Sequence, residues 1–388
     1  MTRRSAIVSL ALSCPLLPSL AGAFAAIGMG AALVSQTYIV DAASGPGTSF
    51  TSLAVATSTA PDGATLLVRP GIYTDFLIDQ KSLTIVADLG TTIDGPTATC
   101  RIANLLASQQ VVVRGLDLTS QFASVAMFLT DNAGRIIIDT CKAVHTAQTH
   151  PAGNFTIQNC RDVRLTNVQI QPAGGAALRC IDSHVRVASC DFRTSTDDAL
   201  YAENCYVECA AASVEGGASL NNTAPIGLVG SQLRLLKSCS LTTASQGVLI
   251  RGTGSARIDP SLVASYGGST PYGPGVAVAN AVMPGLTAAT GPLGATADAE
   301  MSGPPTAFGA IFLALPGPLL SIPSITNDVA FALGTEVALV SGALTTPLAA
   351  SYTVPINPGI IGLTVTWQGV ALDANGLRLS NGVSYTHY

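Results

Sequence analysis

Between Val111 and Ile258 the chain repeats one short phrase, apolar-x-apolar-x-x-apolar-x-apolar, and no other feature restricts its architecture as strongly. The phrase reads V-V-V-R-G-L-D-L from Val111, I-I-I-D-T-C-K-A from Ile136, V-R-L-T-N-V-Q-I from Val163, V-R-V-A-S-C-D-F from Val185 and V-E-C-A-A-A-S-V from Val207. A looser copy, L-R-L-L-K-S-C-S-L from Leu233, carries one extra residue. The starts at 111, 136, 163, 185, 207 and 233 are 25, 27, 22, 22 and 26 residues apart, a spacing that belongs to solenoids. Each phrase reads as two very short strands joined by a small-residue bend, with alternate side chains facing inward. One such coil cannot bury its apolar face alone, so coils must stack.

A third strand follows a loop in each coil, at Leu178 to Ile181, Leu200 to Glu203, Ile226 to Val229 and Val248 to Arg251. Asp182-Ser183, Asn204-Cys205 and Gly230-Ser231 then turn the chain into the next phrase, and Asn, Asp and Gly suit such bends because they tolerate left-handed backbone angles. The loops before the third strand, at 148–154, 171–175, 193–198, 215–225 and 242–247, differ in length and content. Coils in register stack them along one edge, which makes that edge the place to look for a site.

Composition agrees with a turn-rich, all-β extracellular protein. Only 11% of the 388 residues are charged and 48% are apolar, against roughly 25% charged in an average soluble protein. Gly and Pro number 38 and 22. The net charge of −5 creates no basic field, so no nucleic-acid partner is expected. Arg3 and Arg4 precede an apolar run from Ala6 to Ile27, with a small-x-small site at Ala23-Phe24-Ala25. Residues 1–35 therefore read as a secretory signal peptide. A lipoprotein box at Ala11-Leu12-Ser13-Cys14 and a twin-arginine signal at Arg3-Arg4 are the alternatives. No later stretch is long and apolar enough to span a bilayer, so the mature chain is expected to have no transmembrane segment. It is expected to be secreted or on the surface of a bacterial cell, with the periplasm as the alternative.

Removal of the signal leaves eight cysteines in an oxidising compartment. Cys141 and Cys190 share an inward column, but Val168 occupies the coil between them, so they stand two rises apart, roughly 9.6 Å. Cys160 and Cys205 share a turn column with Ser183 between them. Such distances are too long for a disulfide. The residues read as buried thiols acting as small apolar groups, with cross-column pairs left open. No Cys-x-x-Cys pair supports a zinc site.

Residues 37–95 resemble the opening of a right-handed parallel β-helix of the pectin lyase-like superfamily. The resemblance rests on Y-I-V-D-A-A-S-G-P-G-T-S-F-T-S-L-A-V-A-T from Tyr38, P-D-G-A-T-L-L-V-R-P-G-I-Y from Pro61 and K-S-L-T-I-V-A-D-L-G-T-T-I-D-G from Lys81. It implies a short helical cap at Phe50 to Thr57 over the open end of the solenoid, and an entry strand at Pro70 to Tyr73. A cap is needed because an uncovered terminal coil exposes strand edges and core residues. With the repeats, the resemblance covers residues 37–262. It is specific for fold and nearly silent on activity, since the fold hosts lyases, hydrolases, esterases, epimerases and non-catalytic surface proteins. Residues 263–305, rich in Gly, Pro and Ala, read as a linker or an irregular extension of the last coil. Residues 306–388 show period-two alternation, as in Ile361, Leu363, Val365 and Trp367, and read as a small C-terminal β-sandwich. The ending resembles a C-terminal module of many secreted bacterial proteins. The expectation is thus an all-β chain: 1–35 signal peptide, 36–262 solenoid, 263–305 linker or extension, 306–388 sandwich-like module.

Three sets of residues offer chemistry. Asp197-Asp198 resembles the acid pair of the polygalacturonan-cleaving glycoside hydrolases of this fold, which need a raised-pKa acid and an ionised base across one glycosidic bond. The departures from that pattern are Gly175 where a third Asp stands one coil earlier, Glu215-Gly216-Gly217 in place of Gly-His-Gly, and Arg257-Ile258-Asp259 without the lysine of Arg-x-Lys. Pectate-lyase chemistry would use Asp197, Asp198 and Glu215 around Ca2+ with Arg193 as base, but lysines occur only at 81, 142 and 237, and the lyases' Arg-x-Pro-x-Arg signature is missing. His145 and His150 read as part of a solvated loop rather than a metal site. Finally, the second residue of each phrase points outward, giving the column Val112, Ile137, Arg164, Arg186, Glu208 and Arg234. It reads either as an exposed ion-pair ladder or, with Arg193, as a cationic stripe for an acidic glycan.

The functional expectation is a non-catalytic polysaccharide-binding or structural element, its partner a polysaccharide, acidic in the cationic-stripe reading, or a component of the cell envelope. It needs no cofactor. The alternative is a lyase or hydrolase acting on an acidic glycan at the stacked loops, with Ca2+ required in the lyase case.

Overall fold

The computed structural model describes residues 36–388 except 95–98, 119–124, 145–153, 218–222, 244–246, 269 and 324. The signal-peptide expectation and the His145 and His150 loop lie outside the described residues. Val111, Ile136, Val163, Val185, Val207 and Leu233 pair one above another in a parallel ladder, each fully or almost fully buried. The repeated phrase therefore folds as a parallel β-helix with identical positions in register. A nine-stranded sheet, running from Gly71–Tyr73 to Val263–Ser265 with one strand per coil, forms the second face. The inner column of that face includes Ala143, Ile170, Phe192, Val214 and Leu241. The third strand of one coil and the first of the next commonly fuse, as in Met127–Asp139, Phe155–Thr166 and Ile226–Leu235. Three faces result.

The two tight corners of each coil explain why short polar residues recur at fixed places. Asp131, Asn159, Asp182, Asn204 and Gly230 turn the chain from the third face to the first with φ between 47° and 60°. Gly115, Thr140, Asn167, Ser189, Ala211 and Ser238 turn it from the first face to the second, also with positive φ. Next to the first corner runs a ladder of side chains that satisfy backbone donors of the preceding coil. Asn132 Oδ1 accepts from Leu105 N at 3.0 Å, Ser183 Oγ from Cys160 N at 3.0 Å, Cys205 Sγ from Ser183 N at 3.3 Å and Ser231 Oγ from Cys205 N at 3.0 Å. Sulfur and hydroxyl alternate in this ladder as weak acceptors of similar size. The eight cysteines among the described residues are buried and free, and burial pushes the Cys141 and Cys190 thiols up to about 12.

The cap is the helix Leu53–Thr59, N-capped by Ser52, with Leu53, Ala56 and Thr57 buried against the first coils. Lys81 Nζ donates to the carbonyls of Ser58 and Ala60 and ties down its C-terminal end. The first coil begins before the cap, because Thr37–Val40 pairs in parallel with Ala64–Val68. At the other end Val276–Asn280 adds a last parallel strand. The 263–305 stretch thus carries strands Val263–Ser265, Val276–Asn280, Gly285–Ala289 and Thr296–Ser302, the last two antiparallel. From Gly285 onward, antiparallel sheets of three and four strands with a two-stranded ribbon enclose a core around Trp367, Tyr385, Ile311 and Met301.

This C-terminal module lies along the first face of the solenoid. Ala188 of the solenoid belongs to its core, Thr386 N donates to Asp139 Oδ2 at 3.1 Å, and the Arg114 guanidinium pairs with Asp139 and stacks on Tyr388. The first face is therefore an internal interface.

Ala211 holds φ at 49° with a Cβ and no capping side chain, an arrangement that costs about 1 kcal/mol relative to glycine. Ala211→Gly is expected to raise thermal stability by about 1 kcal/mol, a shift of roughly 2 °C. Ala212→Gly, in the buried extended position beside it, is expected to lower it by at least as much. Calorimetric melting of both variants checks the pair.

Candidate functional site

Asp198 enters the third stacked loop as an expected acid, but its carboxyl group turns inward. It is 1% exposed and accepts from Ala224 N at 2.9 Å and from Arg251 Nε at 2.8 Å, with Arg251 Nη2 2.6 Å from its other oxygen. Arg251 reaches it because Tyr201, Gly227 and Arg251 share one outward column. Gly227 leaves the gap, and a Cβ there would collide with Asp198 Oδ2. Burial pushes the Asp198 carboxyl up, and the Arg251 hydrogen bond opposes it. The pair closes a loop.

The other two carboxylates do not join it. Asp197 Oδ1 accepts from Asp198 N at 2.8 Å. Glu215 instead faces a shallow groove of about 470 Å³ whose lining includes Gln171, Pro172, Arg193, Ser195 and Gly217 but neither aspartate. Arg193 lies in that groove, 2.9 Å from Asp191 and 3.9 Å from Glu215. Among the described residues no three His, Cys, Asp or Glu side chains converge on a cation position. Asp198, spent on Arg251, does not fit the Ca2+ site that lyase chemistry requires.

The outward column Val112 to Arg234 is not a solvent-facing stripe, because the C-terminal module covers it. Arg164 is 1% exposed, Glu208 1% and Arg186 4%, while the Arg234 side chain keeps 17% exposure. Arg164 donates to both oxygens of Asp162 at 3.0 and 2.9 Å, to the carbonyls of Ala330 and Gly317 at 2.8 Å each, and to Ser384 Oγ at 3.2 Å. Arg186 pairs with Asp328 at 3.3 Å and stands 3.9 Å from Glu208, which lies 3.8 Å from Arg234. Both sequence readings of this column, exposed ladder and glycan stripe, are corrected at Arg164 and Arg186: these side chains bolt the module to the solenoid.

The third face carries a column that sequence reading passed over. Arg101, Phe128, Thr156, Arg179, Tyr201, Gly227 and Arg251 pair successively, one per coil. Arg101 stands 5.7 Å from the Phe128 ring centre and Arg179 5.6 Å from that of Tyr201. Arg101 is exposed, and Phe128, Arg179, Tyr201 and Arg251 are half-buried. The face borders the stacked loops, and its signal is legible once coils are aligned, since Arg179 and Tyr201 differ by the 22-residue period.

The fold and these surfaces place the chain among parallel β-helix proteins. No protein-family model matches it, and no curated protein does. Among solved structures, ORF18 of Geobacillus virus E2 aligns with 73% of this chain and 70% of its own at 12% identity and a TM-score of 0.25, a likeness too loose to inform function.

Two measurements test this description. Arg164→Ala leaves Asp162 with Arg135 as its one remaining arginine partner and takes the donor from two buried carbonyls, and is expected to cost about 2–4 kcal/mol in urea unfolding. His184, packed on Tyr206 with ring centres 4.4 Å apart, has its pKa lowered to about 4 by burial and by Arg186, which outweigh Asp328. The unfolded chain then takes up the proton first, so stability is lost as pH falls from about 6.5 to about 4, by up to roughly 3 kcal/mol. His184→Gln is expected to flatten that part of the stability–pH curve.

Proposed function

We propose that the protein is a non-catalytic, extracellular polysaccharide-binding β-helix, secreted or held at a bacterial surface, and that it binds an acidic glycan along the third face. The observation that carries this reading is the Arg101–Phe128–Thr156–Arg179–Tyr201 column, with guanidinium groups and aromatic rings interleaved on a face that no other described segment buries. Strands stack at about 4.8 Å, so Phe128 and Tyr201, three coils apart, present rings roughly 14 Å from each other. A glycan lying along the axis would meet apolar ring faces and carboxylate-binding forks in turn. Against an enzymatic reading stands the separation of the carboxylates: Asp198 is engaged by Arg251, while Glu215 faces the groove without it. A bond-cleaving pair would have to flank a single glycosidic oxygen.

Retardation of the protein by immobilised polygalacturonate, with neutral dextran as control, tests this. Binding is expected to weaken at least about tenfold in Arg179→Ala and in Tyr201→Ala, and to fall with salt. Release of reducing ends or unsaturated products by the wild type, abolished by Glu215→Gln, would overturn the non-catalytic reading. Equal retention of both variants would overturn the assignment to this face.

A further inference from the structure

A second polar opening lies where the corner between the third and first faces meets the C-terminal module. It encloses about 350 Å³, within the range that holds a one-ring ligand. Arg135, Arg161, Asp162 and His184 line it from the solenoid, Ser321 and Asp328 from the module. Its electrostatics are unbalanced. Counting the ions that line it and those paired to them, Arg135, Arg161, Arg164 and Arg186 give +4, while Asp162 and Asp328 give −2, an excess of two positive charges.

Its donors are also incompletely used. Arg135 is committed to Asp162, Gln110 and the Pro316 carbonyl. Arg161 is exposed, and among the described residues its side chain makes no hydrogen bond or ion pair. His184 Nε2 is buried without a hydrogen-bond partner, 3.9 Å from Asp328. Behind Asp328, the almost fully buried Arg186 has two nitrogens, Nε and Nη1, with no hydrogen-bond partner. Buried donors in this number call for an acceptor, and a guanidinium fork at the mouth matches the planar oxygens of a carboxylate or the oxygens of a sulfate. Burial keeps the His184 imidazole neutral at pH 7, able to donate through one nitrogen without adding charge.

The geometry points to an anion site in this seam, taking the carboxylate or sulfate group of a small, one-ring ligand, with Arg161 as its external clamp and His184 and Ser321 as neutral hydrogen-bonding groups. The site does not depend on the third-face column. A ligand there touches solenoid and module together, so its binding energy adds to the stability of their interface.

Calorimetric titration and thermal melting of the full chain at low ionic strength test the site with sodium galacturonate, sodium sulfate and neutral methyl galactoside as probes. Saturable binding of galacturonate, a rise in melting temperature, and no response to methyl galactoside are expected. Sulfate binding equally well identifies a general oxyanion site, whereas galacturonate alone identifies a uronate site; both support the assignment. Arg161→Ser, which removes no side-chain hydrogen bond or ion pair among the described residues, is expected to leave the ligand-free melting temperature nearly unchanged and weaken binding about tenfold or more. Tyr201→Ala is expected to leave it intact. Absence of saturable binding of either anion up to about 10 mM, undiminished binding in Arg161→Ser, or loss in Tyr201→Ala would overturn the proposal.

Discussion

No coil of this protein has a core of its own. Val185 is buried because Val163 lies on one side of it in the ladder and Val207 on the other, and the same holds for Phe192 between Ile170 and Val214. Everything else follows from keeping that stack in register. The corners must turn within one residue, which puts φ near 50° at Asp182, Ser189, Asn204 and Ala211. The donors exposed beside them need compact acceptors, which Asn132, Ser183, Cys205 and Ser231 supply. The cysteines are thus explained by the geometry of the corner and the interior, without any covalent link.

Register has a second consequence. It places like positions at a fixed spacing on the outside as well, so each outward column becomes a continuous strip whose character depends on what it meets. The strip through Arg164, Arg186 and Glu208 meets the C-terminal module and becomes an interior rich in ion pairs. The strip through Arg101, Arg179 and Tyr201 meets no such cover among the described residues and retains its interleaved charge and aromaticity. Two arginine-containing columns of similar appearance in the sequence therefore have opposite surroundings.

That contrast marks the limit of what the sequence discloses. The inward columns, the corner residues and the C-terminal strands are legible, because each is encoded by residues close together or one period apart, whereas the helical cap is implied by the resemblance of residues 37–95 and forms at Leu53–Thr59. The burial of Arg164 is not, since its partners Gly317, Ala330 and Ser384 are contributed by segments more than 150 residues away. Nor is the fate of Asp198. Its link to Arg251 spans two coils and depends on Gly227 having no side chain, so the decisive feature is an absence in the intervening coil. The Arg179–Tyr201 pair, one period apart, is legible once the third strands are aligned as closely as the first.

The ion pairs of the seam answer a problem that a repeating surface creates. A solenoid face looks nearly the same after a shift of one coil, about 4.8 Å, and apolar contact alone discriminates poorly between such positions. Arg164 breaks that degeneracy. Asp162 fixes its guanidinium group from within the solenoid, and its remaining donors match two carbonyls and a hydroxyl at single places on the module. Displacement by a coil would leave a buried charge facing unmatched backbone, a penalty of several kcal/mol. Arg135 and Pro316, Arg186 and Asp328, and Thr386 and Asp139 repeat the same logic at other coils. Hydrophobic burial holds module and solenoid together, whereas these buried polar contacts set where along the axis they meet. The cleft beside Arg161 and His184 inherits its shape from that setting.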